Sequence, residues 1–136
     1  MVRWKTSTPN TALGGPPDLV ERPERHLARA PVELAVVPDV AGVVTRVDAR
    51  AIGLLVAELG GGRQRVEDAI DSAVGLADVR GVGDAVSQDQ PIAVVHARSP
   101  ADAEAAATTL RRAVTVGDAP DAAARSPVLR RLRPLR

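Results

Sequence analysis

The hydrophobic core of this chain has to be built almost without aromatic side chains. Of its 136 residues 45% are hydrophobic, yet there is one Trp and there is no Phe or Tyr. Val, Leu, Ile and Ala must therefore fill the interior. Because β-branched residues favour strands and alanine favours helices, the composition predicts strands combined with alanine-faced helices.

The charge balance and the scarcity of reactive side chains argue against several classes of function. The formal net charge is +1, and the C-terminal arginines have no aromatic residues between them, so nucleic-acid binding is not indicated. The absence of Cys and the presence of only two His argue against disulfides and a zinc site. Without an apolar run of ~20 residues or a signal peptide, we expect one cytoplasmic domain with no cofactor and no membrane contact.

Two helices are predicted from apolar stripes that follow capping residues. Asp48 is a candidate N-cap, and the residues after it are apolar at every third or fourth position. This pattern predicts a helix over 49–59 whose stripe is Ile52, Leu55, Val56 and Leu59. We expect Ile52, Leu55 and Leu59 to be buried against the Val43/Val47 or Val44 face of the second strand and against Val94. Ser99, followed by Pro100, resembles a capping box and predicts a second helix over 101–114. Its inward side should consist of Ala103, Ala106, Ala107, Leu110 and Val114.

Short strands complete the prediction. Alternating or β-branched segments predict strands over 32–37, 42–47 and 92–96, with a shorter one at 85–86 between two turn signals. Residues 66–79 could form one helical turn followed by a strand. Together these elements indicate an α+β domain.

The predicted domain occupies only part of the chain. We assign it to residues 32–124. An irregular, proline-rich segment, 1–31, precedes it, and a basic tail, 125–136, follows. We expect an edge strand at the start of the tail and fraying after it.

Three consecutive glycines follow the first predicted helix: Gly60, Gly61 and Gly62. A phosphate-binding loop places its glycines before a helix, where free amides and the positive end of the helix dipole face the anion. Here the negative end of the dipole is nearer, and the lysine of a P-loop is absent because the only lysine is Lys5. The glycines therefore predict a left-handed C-cap at Gly60 and a flexible connector.

An acidic cluster follows the glycines. Glu67, Asp68 and Asp71 could share one helix face and act as paired carboxylates in acid–base chemistry. Arg63 and Arg65 lie beside them in the sequence, however. A solvated, salt-bridged face is the more common arrangement, so we expect Arg63 to pair with Glu67 or Asp68.

The two histidines lack the partners of a catalytic centre. His96 ends a predicted buried strand with no carboxylate at a defined spacing, and we interpret it as structural. His26 lies in a loop rich in proline and arginine, where we expect it to be exposed. Taken residue by residue, the sequence indicates no catalytic constellation.

A longer ordered series of motifs runs from residue 42 to residue 97. A strand that begins with glycine, at 42–47, is followed by an aspartate at 48. The helix after it contains Ile-Gly at 52–53 and leads to Leu-Gly-Gly-Gly-Arg at 59–63. Asp-Ala-Ile-Asp with a later Val-Gly follows at 68–75, then Gly-Asp-Ala-Val at 83–86 and Val-His-Ala at 95–97. In this order the motifs resemble the C-terminal domain of the pyrimidine-nucleoside phosphorylases, most closely the bacterial thymidine phosphorylases. Gly-Gly-Pro at 14–16 extends the resemblance, whereas residues 1–13 do not match and are expected to be foreign sequence or a false start.

The resemblance implies an enzyme that converts thymidine and phosphate to thymine and 2-deoxyribose 1-phosphate and acts as a homodimer. This portion would be an outer lobe of barrel-sandwich or hammerhead-like type. The family's glycine-rich signature, its Lys-His-Ser phosphate segment and its base-binding Arg, Ser and Lys have no counterpart here, so no catalytic, substrate-binding or metal-binding residue is assigned. The expected partners are the N-terminal and α/β phosphorylase domains, in the same or a separate chain. The motif residues carried over are structural: Asp48, Gly60, Gly61, Gly62, Arg63, Asp68, Asp71, Gly75, Gly83 and Asp84.

Three hypotheses follow. The first is an incomplete thymidine phosphorylase, either a gene fragment or one piece of a split enzyme. The second is a stand-alone, non-catalytic binding or structural module. The third is a biotinyl or lipoyl carrier, since Gly-Asp-Ala-Val, a turn and an apolar strand also occur there. A carrier needs a lysine at a hairpin tip, and Lys5 does not meet that requirement.

Overall fold

The computed structural model describes residues 12–63 and 65–118. This part of the chain folds into two α-helices and six strands, with a 3-10 turn at Pro23–Arg25 before the first strand. The helices are α1 (Ala49–Glu58) and α2 (Pro100–Ala113). The strands are β1 (Val32–Val36), β2 (Gly42–Val47), β3 (Gly75–Ala77), β4 (Ala85–Val86), β5 (Ala93–Ala97) and β6 (Val114–Gly117). The predicted α+β class is confirmed.

The strands form two three-stranded antiparallel sheets. In the first sheet β5 lies between β1 and β3, so that Val95 is paired with Leu34 on one side and with Leu76 on the other. In the second sheet β2 lies between β4 and β6. The four predicted strands are present, and β3 is the strand expected within 66–79.

Two features of the second half of the chain differ from the prediction. The helical turn expected near residue 66 is absent, because residues 65–74 form turns and irregular backbone instead. The second helix ends at Ala113, and Val114 begins β6, a strand that the sequence did not predict. Residues 114–116 read Val-Thr-Val, and pairing with β2 satisfies their backbone groups and their preference for extended structure.

The core lies between α2 and the first sheet and continues to the second. Four of the five residues predicted for the inward face of α2 are buried on this helix: Ala103, Ala106, Ala107 and Leu110. Val114 is buried too, but as part of β6. Alanines on this face allow the helix to lie close to β1 and β5, so dense packing is reached without aromatic side chains.

The first helix packs mainly against α2. Leu55 shares its core cluster with Val44, and Val47 packs against that cluster, in agreement with the expected burial near β2. Leu55 is its one fully buried side chain, at 3% exposure, and Ile52 and Leu59 are partly buried against the core. The prediction that Val94 lies beneath this helix is wrong. Side chains alternate along β5, so that Val95 points into the core and Val94 lies on the half-buried face.

Some expectations fall outside the described residues. These are the edge strand of the tail and the positions of Lys5 and of residues 119–136. Within the described ranges, neither helix is long and apolar enough to cross a membrane.

Candidate functional site

Asp48 joins three elements at the start of α1. Its side-chain Oδ1 accepts a hydrogen bond of 3.0 Å from the Ala51 amide, which confirms the predicted N-cap. Its own amide donates to the Ala113 carbonyl oxygen over 2.8 Å. The end of β2, the start of α1 and the end of α2 therefore meet at this residue.

Gly60 ends α1 in the conformation that the sequence predicted. Its φ is +96°, which a side chain would strain. The Gly60 amide donates to the Ala57 carbonyl and the Gly61 amide to the Val56 carbonyl, at 3.1 and 3.0 Å. These two bonds form a Schellman motif and satisfy carbonyls that the helix end would leave free.

The next two glycines are needed because the chain packs closely here. A Cβ at Gly61 would lie 3.0 Å from the Val74 carbonyl oxygen and 3.1 Å from a methyl carbon of Val56. A Cβ at Gly62 would lie 3.3 Å from the Cα of Ala57. The connector that we predicted to be flexible is thus folded back tightly on its own helix.

Asp71 makes several hydrogen bonds beside this glycine turn. Its amide donates to the Gly60 carbonyl over 2.9 Å, and its Oδ1 accepts from the Ala73 amide over 3.0 Å. Its two carboxylate oxygens also accept from the Nε and Nη2 atoms of Arg98, at 2.5 and 2.7 Å. This bidentate pair joins the segment after the glycines to the corner between β5 and α2.

The pair changes the titration of both of its members. The hydrogen bond from Arg98, helped by that from the Ala73 amide, lowers the pKa of Asp71 below its ordinary value of 3.8. Donation to Asp71 raises the pKa of Arg98. Both shifts favour the charged forms, so the pair persists at neutral pH.

The acidic cluster is not a helix face, and our prediction for Arg63 is wrong. Within residues 12–63 and 65–118, Arg63 makes no salt bridge and is exposed. Asp68 instead accepts from the Arg65 amide over 2.8 Å, which closes a local turn. The partner of Asp71 lies 27 residues away at Arg98, and no sequence motif indicated it.

Gly83 and Asp84 attach the connection between β3 and β4 to β2 through backbone hydrogen bonds. The Gly83 amide donates to the Val44 carbonyl, and the Val44 amide donates to the Asp84 carbonyl, at 2.8 and 2.9 Å. The Asp84 carboxylate accepts from the Gly81 amide over 2.8 Å. Gly83 has a φ of +98°, and Gly75, at the start of β3, has a φ of +149°.

The histidines gain carboxylate neighbours that only the fold reveals. Antiparallel pairing of β1 with β5 places Glu33 opposite His96, with Oε1 3.7 Å from Nδ1. His26 Nε2 lies 2.8 Å from Asp18 Oδ1. His96 and Glu33 line a cleft of about 370 Å³ together with Ala73 and Arg29.

The predicted motif residues thus make structural contacts at separate places and do not converge on one site. Asp48, Asp71 and Asp84 each use their carboxylate to hold backbone or an arginine. Among the described residues, no three His, Asp or Glu side chains are arranged to hold a metal ion. What this arrangement does is fix the positions of the two helices and two sheets relative to one another.

Comparison with known proteins shows which family this chain belongs to. The family described as the pyrimidine nucleoside phosphorylase C-terminal domain matches residues 43–117, which include all ten motif residues. The chain belongs to this family.

Curated relatives extend the match beyond the domain itself. Thymidine phosphorylase of Burkholderia lata is 53% identical over 112 residues, which are 82% of this chain and 26% of that protein. Thymidine phosphorylase of Mesorhizobium japonicum is 48% identical over 122 residues, which are 90% of this chain and 28% of that protein. The chain therefore spans about a quarter of the length of these relatives.

Proposed function

We propose that this chain supplies the C-terminal lobe of a cytoplasmic thymidine phosphorylase, in which its part is structural. The observation that carries the proposal is the 53% identity to a thymidine phosphorylase over 112 residues. A matched stretch of 112 residues in a chain of 136 necessarily includes the Schellman turn, the Asp71–Arg98 pair and the Gly83 contacts with β2. The reaction assigned to the complete enzyme is the attack of phosphate on thymidine, which releases thymine and 2-deoxyribose 1-phosphate.

The lobe by itself is predicted to be inactive. Phosphorolysis needs phosphate held by oriented donors against the anomeric carbon, and it needs stabilisation of the departing base. Arg98 is engaged by Asp71, and the glycine turn closes the end of α1 instead of opening a helix toward an anion. We propose that the N-terminal and α/β phosphorylase domains supply those groups, in the same or a separate chain, and that the complete enzyme is a homodimer.

A chimaera tests the proposal. The segment of Burkholderia lata thymidine phosphorylase that matches this chain is replaced by the 112 matching residues. Thymine release from thymidine is then followed at high phosphate for the chimaera, for the parent enzyme and for the chain alone. We expect turnover by the chimaera and by the parent, and none by the chain alone.

Two controls separate folding from function. The same chimaera carrying Leu110→Asp places a charge in the core and should lose both its cooperative melting transition and its activity. The chimaera carrying Val66→Ser changes an exposed side chain and should keep both. A chimaera that melts cooperatively but does not turn over thymidine would contradict the proposal and favour the stand-alone module. Turnover by the lone chain would contradict its predicted inactivity.

The carrier hypothesis gains no support from the structure. The turn between β4 and β5 is closed by hydrogen bonds between Ser87 and Gln90, and residues 87–90 read Ser-Gln-Asp-Gln. Attachment of biotin or lipoate requires a lysine at such a tip. A turn with this sequence cannot form that amide bond.

A further inference from the structure

The segment 65–74, here called the strap, leads from the glycine turn after α1 to the start of β3. Its outer part has two apolar side chains that contact little, since Val66 is 83% exposed and Ile70 is 51% exposed. Ala73 and Val74, at its inner end, are buried at 8% exposure each, but they lie outside the main core cluster. Apolar packing therefore holds the strap at its inner end alone.

The contact between Asp71 and Arg98 attaches the strap to a different part of the domain. Arg98 lies between the last residue of β5 and Ser99, the N-cap of α2, so its backbone belongs to the rigid part of the domain. Both of its bonds to Asp71 are short and charge-assisted. The same aspartate orders the strap internally, through the Ala73 amide, and ties it to the glycine turn, through the Gly60 carbonyl.

We propose that the Asp71–Arg98 pair is a latch that controls local opening of the strap without unfolding of the two sheets. When the pair breaks, the strap loses this charged attachment to the corner between β5 and α2, while the bond from the Asp71 amide to the Gly60 carbonyl and the packing of Ala73 and Val74 can persist. Ala73 lines the cleft of about 370 Å³ that also contains His96 and Glu33. Opening that extends to Ala73 therefore changes the lining of that cleft.

Hydrogen exchange in the native state tests the latch. The amides of Asp71, Ala73 and Val74 report on the strap, because each donates to the Gly60 carbonyl or to Asp71 itself. The Ile92 amide, bonded to the Val36 carbonyl over 2.7 Å, reports on the core. In the Arg98→Met variant, exchange at the strap amides should rise by roughly threefold to tenfold, while it remains faster than exchange at the Ile92 amide and less dependent on urea.

Matched variants make the result specific to this contact. Arg111→Met removes an arginine at the other end of α2, where Arg111 Nε donates to the Val37 carbonyl, and should leave the strap amides unchanged. Asp71→Asn should reproduce the effect of Arg98→Met, because it removes the other charge of the pair. Unchanged strap amides in the Arg98 and Asp71 variants, or strap amides that match the Ile92 amide in both exchange rate and dependence on urea, would overturn the proposal.

A measurement on the unmodified protein covers the case in which those variants fail to fold. Exchange at the strap amides is followed through low concentrations of urea, together with that at the Ile92 amide. Local opening exposes little surface, so the strap amides should exchange faster than the Ile92 amide and depend less on urea. If all four amides exchange with the same rate and the same dependence on urea, the strap opens only by global unfolding and the latch is rejected.

Discussion

Glycines at two positions of this chain show how the role of a residue depends on its surroundings. Gly42 opens β2 beside β6, and a Cβ there would lie 2.7 Å from the Gly117 carbonyl oxygen and 2.9 Å from a methyl carbon of Val116. Gly53 lies in the middle of α1, where a Cβ would meet nothing within 4 Å. The first glycine is required by close strand packing, whereas the second only weakens its helix.

Alanine substitutions at the two positions should therefore have opposite effects. Gly42→Ala should lower the free energy of unfolding by about 1–3 kcal/mol, because the backbone of β6 must move away. Gly53→Ala should raise it by about 0.5–1 kcal/mol, since alanine is the better helix former and has room here. Urea unfolding of both variants measures the difference. A destabilised Gly53→Ala would show that the helix face is covered, and a neutral Gly42→Ala would show that β2 and β6 separate easily.

Among the elements, α1 shows that a clear local sequence pattern predicts a helix without specifying which other element the helix packs against. Its N-cap, apolar stripe and glycine C-cap are all present in the sequence and in the structure. Its partner is α2, because the inner face of the first sheet is already covered by the alanines of that helix. Leu55 is therefore buried between helices and core, while its neighbour Leu54, at 56% exposure, faces outward.

Adjacent leucines provide a matched pair for this element. Leu55→Ala should cost about 2–5 kcal/mol of unfolding free energy, because it leaves a cavity beside the core. Leu54→Ala should change it by less than about 0.5 kcal/mol, since the side chain is mostly solvated. Chemical denaturation of the two variants checks both values. Similar costs at the two positions would mean that α1 is rotated relative to the arrangement described here.

At the scale of the whole molecule, the Asp71–Arg98 pair links stability to acidity. The folded-state pKa of Asp71 is lowered, so its contribution is fully present above the ordinary value of 3.8 and is lost as the pH falls through the lower, folded-state pKa. The unfolding free energies of the native protein and of Asp71→Asn should differ most at neutral pH and converge in this acidic range. Titration of stability from neutral pH downward measures the convergence.

A carboxylate elsewhere serves as the control for this titration. Asp39→Asn, at a side chain 86% exposed and 3.8 Å from Arg111, should alter stability little at neutral pH. A difference between the native protein and Asp71→Asn that stays constant down to the lowest pH would show that the charge of Asp71 is not what stabilises the fold.

The sequence by itself determined the local structure of this protein. Asp48, Gly60 and Ser99 set helix ends through bonds and backbone conformations within a few residues of one another, and such short-range effects can be read from neighbouring letters. The ordered glycine and aspartate motifs likewise indicated the family. These features depend on spacing along the chain, which the sequence contains directly.

Only the tertiary structure decided which distant groups meet. The bond between Asp71 and Arg98 spans 27 residues, and the contact of Glu33 with His96 depends on the register of β1 against β5. Val114 belongs to a strand because β6 pairs with β2, although its spacing in the sequence continues the apolar stripe of α2. A sequence pattern records what each segment prefers, whereas these outcomes depend on which partners the other segments leave available.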